Sequence, residues 1–77
     1  MQTVLILGAG LSSPSLIKYL LDKSQHRWKI RVGDINLENA VKRVQGHPDG
    51  EAFHFDVNDP VQRREEVDRA DIVISLL

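Results

Sequence analysis

Thr3-Val4-Leu5-Ile6-Leu7-Gly8-Ala9-Gly10 is the stretch that decides the fold of this chain. An uninterrupted run of β-branched and apolar residues stops at a glycine, the pattern of a strand buried on both faces. Leu11-Ser12-Ser13-Pro14-Ser15 follows, and then Leu16, Ile17, Tyr19, Leu20 and Leu21. Hydroxyl residues, a proline in the first turn and an apolar face of helical period predict a helix ending near Lys23-Ser24. Tyr19, set among the leucines, reads as core.

Outward from there the same alternation repeats. Trp28-Lys29-Ile30-Arg31-Val32 alternates apolar and polar residues, predicting a second strand that ends at Gly33-Asp34. Asn36 can cap a second helix with Leu37, Ala40, Val41 and Val44 on its buried face. Gly46 stands where a left-handed C-terminal cap belongs, and Pro48 prevents continuation. Glu51 to Val57 predicts a third strand, with Phe53, Phe55 and Val57 on one side and Asp56 at its close. Asp59-Pro60-Val61-Gln62 reads as N-cap, proline at N1 and glutamine at N3, a variant of the capping box. The third helix, about 60–68, has Val61 and Val67 as its few anchors, and its Arg63-Arg64-Glu65-Glu66 run reads as a solvated face. Asp71-Ile72-Val73-Ile74-Ser75 is a fourth strand of the buried type.

The order β-α-β-α-β-α-β, with connections too long for hairpins, specifies a parallel sheet with helices on its faces. The fold class is therefore α/β, a Rossmann-type doubly wound parallel sheet truncated after its fourth strand. Such sheets normally continue through further strands. Residues 1–77 are accordingly expected to be the N-terminal part of a dinucleotide-binding domain, with a substrate and catalytic domain lying beyond them. No repeat, linker or low-complexity segment interrupts the pattern.

Composition excludes several classes of function. The 77 residues make one small domain, and a chain of that size buries only about 60% of its unfolded surface. Ten Lys+Arg against eleven Asp+Glu leave a net charge of -1, too little to drive binding to nucleic acid or a membrane surface. With no cysteine there is no disulfide framework and no thiolate metal site. No apolar run approaches the roughly 18 residues needed to span a bilayer, and a cytoplasmic location is expected. His26, His47 and His54 lack metal-ligand spacing. The first two sit in polar connections and read as solvated, the third on the sheet face opposite Phe53 and Phe55.

The candidate binding residues gather around the first turn. Gly8 permits a tight turn, and Gly10, lacking a Cβ, lets a pyrophosphate approach the amides at the helix N-terminus. Ser13 holds the third glycine position of the Gly-x-Gly-x-x-Gly fingerprint. Leu11, Ser12 and Ser13 complete the phosphate loop, the two serines adding hydroxyl donors. Asp34 ends the second strand 24 residues after Gly10, where a carboxylate can accept from both ribose hydroxyls; the alternative is a helix cap or turn residue. A 2'-phosphate there would meet like charge, and Ile35, Asn36 and Leu37 offer no cation, so NAD is favoured over NADP. Asp56 and Val57 border the adenine pocket in this topology, although Asp56 can equally just shape its turn. Ser75 and Leu76 approach the pyrophosphate and second ribose from across the switch point.

Taken together, Val4-Leu5-Ile6-Leu7-Gly8-Ala9-Gly10, Leu16-Ile17-Lys18-Tyr19-Leu20, Asp56-Val57-Asn58-Asp59 and the segment from Val67 to Leu76 resemble the saccharopine dehydrogenase family. The resemblance is strongest to the saccharopine reductase type and spans nearly the whole chain. It implies the cofactor half of an NAD(P)-dependent oxidoreductase that oxidises a secondary amine to an imine, which water hydrolyses, in lysine or related amino-acid metabolism. It carries the phosphate-loop role onto Gly8 and Gly10 and the adenine-side role onto Asp56. Its catalytic residues lie in a later domain, so none is assigned here, and the piece alone is expected to be inactive. A full-length homodimer is implied. Ser15 stands where NADP-using relatives tend to have proline, and Asp34 replaces their Cys-Arg type ending, which turns the cofactor expectation from NADP to NAD. The competing class is a regulatory NAD(H)- or nucleotide-sensing module of an ion-transport system; a third reading is an α/β domain with a vacated site.

Overall fold

A computed structural model of the chain describes residues 2–10 and 14–77. Its elements are β1 (Gln2–Leu7), α1 (Pro14–Ser24), β2 (Trp28–Asp34), α2 (Leu37–Val44), β3 (Gly50–His54), α3 (Pro60–Arg69) and β4 (Ile72–Ser75). All pairings are parallel and the strand order is β3-β2-β1-β4. The chain steps outward from β1 to β3 and then crosses back to the other side of β1. That reversal between β1 and β4 is a topological switch point.

Alternation along the strands sends side chains to two layers. Val4 and Ile6 of β1 and Ile30 and Val32 of β2 face α1 and α2, where Ile17, Leu21, Ala40 and Val44 cover them. Leu5 and Leu7 face the opposite layer with Phe55, Phe53 and Ala70, and α3 packs on that side. Arg31 and Glu51 stand in the same row as Leu5.

Local chemistry sets the ends of the elements. The Asn36 carbonyl oxygen of the side chain accepts from the Glu38 N–H, and the Asp59 carboxylate accepts from the Val61 and Gln62 N–H groups, so both predicted N-caps form. At the end of α2 the left-handed turn begins one residue early: Gln45 has φ 52° and Gly46 φ 69°.

Several expectations need correction. β3 ends at His54 rather than Val57. β2 gives out at Asp34, whose carbonyl takes the Phe55 N–H at 2.9 Å, and beyond that point no ladder partner is left. Asp56 therefore sits in the loop after β3, where its Oδ1 accepts from the Asn58 N–H at 2.9 Å. Leu37 and Val41 are exposed, because α2 rests on β2 and the edge strand β3 and buries only a narrow stripe of Ala40 and Val44. Tyr19 is 59% exposed rather than core, with Lys23 Nζ 5.7 Å from its ring centre.

The charged run of α3 is not wholly solvated either: Glu66 is buried and paired with the buried Arg31. β4 is an edge strand with Ile72 and Val73 substantially exposed. Its first predicted residue, Asp71, acts as a clamp, its N–H donating to the Thr3 carbonyl and its Oδ2 accepting from the Thr3 N–H at 2.7 Å. His26 and His47 are tied to Asp49 rather than merely solvated. Asp49 Oδ1 lies 2.7 Å from His26 Nδ1, and His47 Nδ1 accepts from the Asp49 N–H at 3.0 Å.

Candidate functional site

The carboxyl ends of β1, β2 and β4 meet around Gly8. Its φ of +104° lies in the region that favours glycine, and a Cβ there would sit 3.2 Å from the Leu76 carbonyl. The Gly8 N–H donates to the Gly33 carbonyl at 2.8 Å, and the Leu76 N–H donates to the Leu7 carbonyl at 2.8 Å. Gly8 is thus a glycine that the fold itself requires. Gly10 differs. Its φ is not positive, and a Cβ on it would meet nothing within 4 Å among the described residues. No described residue occupies the space a side chain would fill at this exposed position of the turn. Leu11, Ser12 and Ser13 lie outside the described residues.

Asp34 is the hinge of the site. Its Oδ2 accepts from the Ala9 N–H at 2.7 Å and its Oδ1 from the Asn36 N–H at 2.7 Å. One carboxylate therefore ties the glycine turn to the entry of α2. Asp34 is thus a turn residue, the second of the two readings drawn from the sequence, and its carboxylate keeps acceptor sites beyond these two backbone donors. A carboxylate has about four lone-pair sites, and the two backbone donors occupy only half of them.

Asp34, Asp56 and Val57 line one hollow of about 190 Å³, together with Ile35, Phe55 and Leu77. The structure thus brings together the proposed ribose and adenine contacts. Ser75 and Leu76 close the same end of the sheet, Leu76 packing partly into the core beside Gly8. Another cavity, of about 280 Å³, opens between the start of α1 and the end of α2, and among the described residues none of the sequence-derived site residues lines it.

Two residues that sequence reasoning did not assign to the site hold the loop that carries Asp56 and Val57. Gln62 Oε1 accepts from the Asp56 N–H at 3.1 Å, while Gln62 Nε2 donates to the His54 carbonyl at 2.8 Å. Arg63 Nη1 donates to the Val57 carbonyl at 2.9 Å. The N3 position had marked Gln62 as a helix cap; instead it reaches past the cap to the loop before it. Gly33 was also missed: a Cβ there would fall 2.7 Å from Phe53 Cζ and 2.8 Å from Phe55 Cβ. No histidine, cysteine and carboxylate grouping suited to a metal occurs among the described residues.

No family model matches the chain. Over 77 residues it is 30% identical to the saccharopine dehydrogenase (NADP(+), L-glutamate-forming) of Schizosaccharomyces pombe. The apo saccharopine dehydrogenase (L-Glu forming) of Saccharomyces cerevisiae superposes on all of the chain with a TM-score of 0.84 at 27% identity. The resemblance is to the saccharopine dehydrogenases, from end to end. The chain spans 17% of the length of either relative. A dTDP-glucose 4,6-dehydratase from Bacillus anthracis, solved in complex with NAD, shares the fold at a TM-score of 0.68 and 19% identity, with the chain covering 27% of it. The Rossmann-type α/β fold expected from the sequence is the fold observed. No helix among the described residues is long and apolar enough to cross a membrane.

Proposed function

We propose that the chain forms the N-terminal dinucleotide-binding part of an NAD(P)-dependent oxidoreductase acting on the C–N bond of saccharopine or a related amino-acid adduct. The observation that carries this reading is the junction at the switch point, where the Gly8–Gly10 turn is held to the end of β2 by Asp34. Around it lie Gly10, where no described residue comes within 4 Å of a Cβ position, and a hollow walled by Asp56 and Val57. The end-to-end likeness to two saccharopine dehydrogenases supports the substrate class. No observation favours the ion-transport sensor.

The residues present suit the cofactor. Gly10 admits the pyrophosphate, Asp34 receives the adenosine ribose hydroxyls, and the Asp56–Val57 wall borders the adenine. When bound, the nicotinamide supplies the hydride-transfer chemistry. These residues hold and orient its carrier, and substrate positioning falls to parts of the protein outside residues 1–77. The Schizosaccharomyces pombe relative is named for NADP(+). Asp34 argues for NAD in this chain, because a 2'-phosphate would approach a carboxylate with the neutral Ile35, Asn36 and Leu37 beside it.

Paired calorimetric titrations with NADH and NADPH test this, once circular dichroism shows the chain folded. NADH is expected to bind more tightly by roughly tenfold, the worth of about one charge-assisted hydrogen bond. Asp34→Ala narrows that gap, chiefly by weakening NADH. Tighter NADPH binding would overturn the cofactor preference, and binding of neither to the folded chain would overturn the cofactor role itself.

A further inference from the structure

The loop between β3 and α3 contributes Asp56 and Val57 to the site, yet it belongs to no strand. Its first residue, Phe55, is buried and donates its N–H to the Asp34 carbonyl, and beyond Phe55 its hold on the fold comes from the start of α3. Gln62 spends both ends of its amide on this loop, accepting from the Asp56 N–H and donating to the His54 carbonyl. A backbone donor at one end and a backbone acceptor at the other permit only one orientation of the amide. Arg63, the next residue, takes the Val57 carbonyl at 2.9 Å. The remaining ties are local: Asp56 Oδ1 to the Asn58 N–H, and the Asp59 N–H to the Asp56 carbonyl. Gln62 itself does not line the hollow between Asp34 and Val57.

We propose that Gln62 is a positioning residue for the adenine half of the bound cofactor, presetting the Asp56–Val57 wall before the ligand arrives. The inference rests on the dinucleotide role proposed above and adds to it a residue that touches no ligand. The physical argument is preorganisation. A loop fixed in its binding shape loses little conformational freedom when ligand binds, whereas a loose one loses several residues' worth. The effect is confined to the adenine end, because the glycine turn is held independently of α3, by the Gly8 N–H on the Gly33 carbonyl and the Ala9 N–H on Asp34.

The experiment compares wild type with Gln62→Met and Gln62→Glu, using NADH, AMP and reduced nicotinamide mononucleotide as probes in calorimetric and NMR titrations of the chain. Methionine keeps the length and helix preference of glutamine while removing both hydrogen bonds. Glutamate keeps an acceptor for the Asp56 N–H and loses the donor to His54. Gln62→Met is expected to weaken NADH and AMP together by about five- to tenfold, the worth of one to two hydrogen bonds. It should leave reduced nicotinamide mononucleotide unchanged, and Gln62→Glu should fall between Gln62→Met and wild type for NADH. If wild type binds NADH and Gln62→Met binds AMP equally well, the positioning role is overturned while the cofactor role stands. An equal loss for both half-ligands would likewise overturn it, making Gln62 a support of the fold alone. Wild type binding neither NADH nor AMP would remove the cofactor role, and this inference with it.

Discussion

The two faces of the sheet are built on different physics. Against α1 and α2 lies a continuous apolar layer, with Val4, Ile6, Ile17, Leu21, Ile30, Val32, Ala40 and Val44 all buried. Against α3 the buried apolar part shrinks to Leu5, Leu7 and Phe55, with Phe53 and Ala70 partly buried beside them, and an ionic cluster lies next to it. Arg31 emerges from β2 beside Leu5, pairs with Glu66 of α3, approaches Glu51 at 3.5 Å and lies 4.3 Å under the Phe53 ring. The first face is held by area removed from water, the second by one buried charge cluster whose members need each other.

Removing one of those members is the severest way to break the second face. Glu66→Ala takes from the buried Arg31 its buried partner under α3, leaving it the more exposed Glu51 carboxylate at 3.5 Å and the Phe53 ring. Losing one partner of a buried pair costs about 3–5 kcal/mol, comparable with the whole stability of a domain this small. Urea titration should therefore find the variant largely unfolded. Replacing both partners, Arg31→Met with Glu66→Leu, sharpens the comparison by giving the second face the chemistry of the first. Glu51 keeps Lys29 at 3.2 Å, so the double variant should match or exceed wild type. A double variant as unstable as Glu66→Ala would show that the ionic cluster itself, rather than its unpaired remnant, holds α3.

Gly33→Ala tests the same face at its junction with the site. The new Cβ would meet Phe55 Cβ, fixed close to the backbone, and the rim of the Phe53 ring. These rings pack edge to face with centroids 6.1 Å apart, so neither moves without the other. Overpacking of this kind costs about 1–3 kcal/mol. The Gly33 carbonyl also holds the Gly8 N–H, so NADH affinity should fall together with the urea midpoint. Adding Phe53→Leu should restore part of both. Recovery of neither would mean that the backbone at Gly33, not the ring, sets the limit.

The contrast between the faces also explains what was legible in the sequence. The alternation of strands and helices, the helix starts and the glycine turn follow from apolar runs, cap residues and Gly8, all local signals, and these elements were readable. So was Asp34, because its distance from Gly10 along a β-α-β unit fixes where it arrives. Glu66 was not readable. On a helix carrying Arg63, Arg64 and Glu65, nothing local marks the one carboxylate that meets Arg31 across 35 positions of sequence. Gly33 was passed over as a strand end because the Phe53 and Phe55 rings that demand a glycine come from another strand. Gln62 gave half a signal: its position at the start of α3 was correct, but its partners were set by the early end of β3. Tyr19, Leu37 and Val41 erred the other way, since helical periodicity shows which side is apolar and not how much of it finds a cover.

The smallest expected effect lies at the rim of the apolar face, where its polar group sits. Asp49 takes the Ser24 hydroxyl at 2.6 Å and the His26 N–H at 2.9 Å, and its other oxygen lies 2.7 Å from His26 Nδ1. The Ser24 hydrogen bond is the main cause that holds its carboxyl down at about 2, outweighing the opposing effect of burial. Glu51, on the ionic face, is also lowered; its partial burial pushes upward, but the Lys29 hydrogen bond and the Arg31 and Lys29 charges together prevail. For a depressed carboxylate the unfolded chain binds the proton first as pH falls. Its stabilisation is therefore complete above the ordinary carboxylate value near 4 and is lost as pH drops toward about 2. Stability should rise with pH across that window. Asp49→Asn keeps the shape of the junction and removes the titrating group, so urea midpoints measured across the window should show a shallower slope than wild type. A slope that Asp49→Asn leaves unchanged, and Glu51→Gln flattens, would place the acid sensitivity on the ionic face and leave the apolar one indifferent to pH.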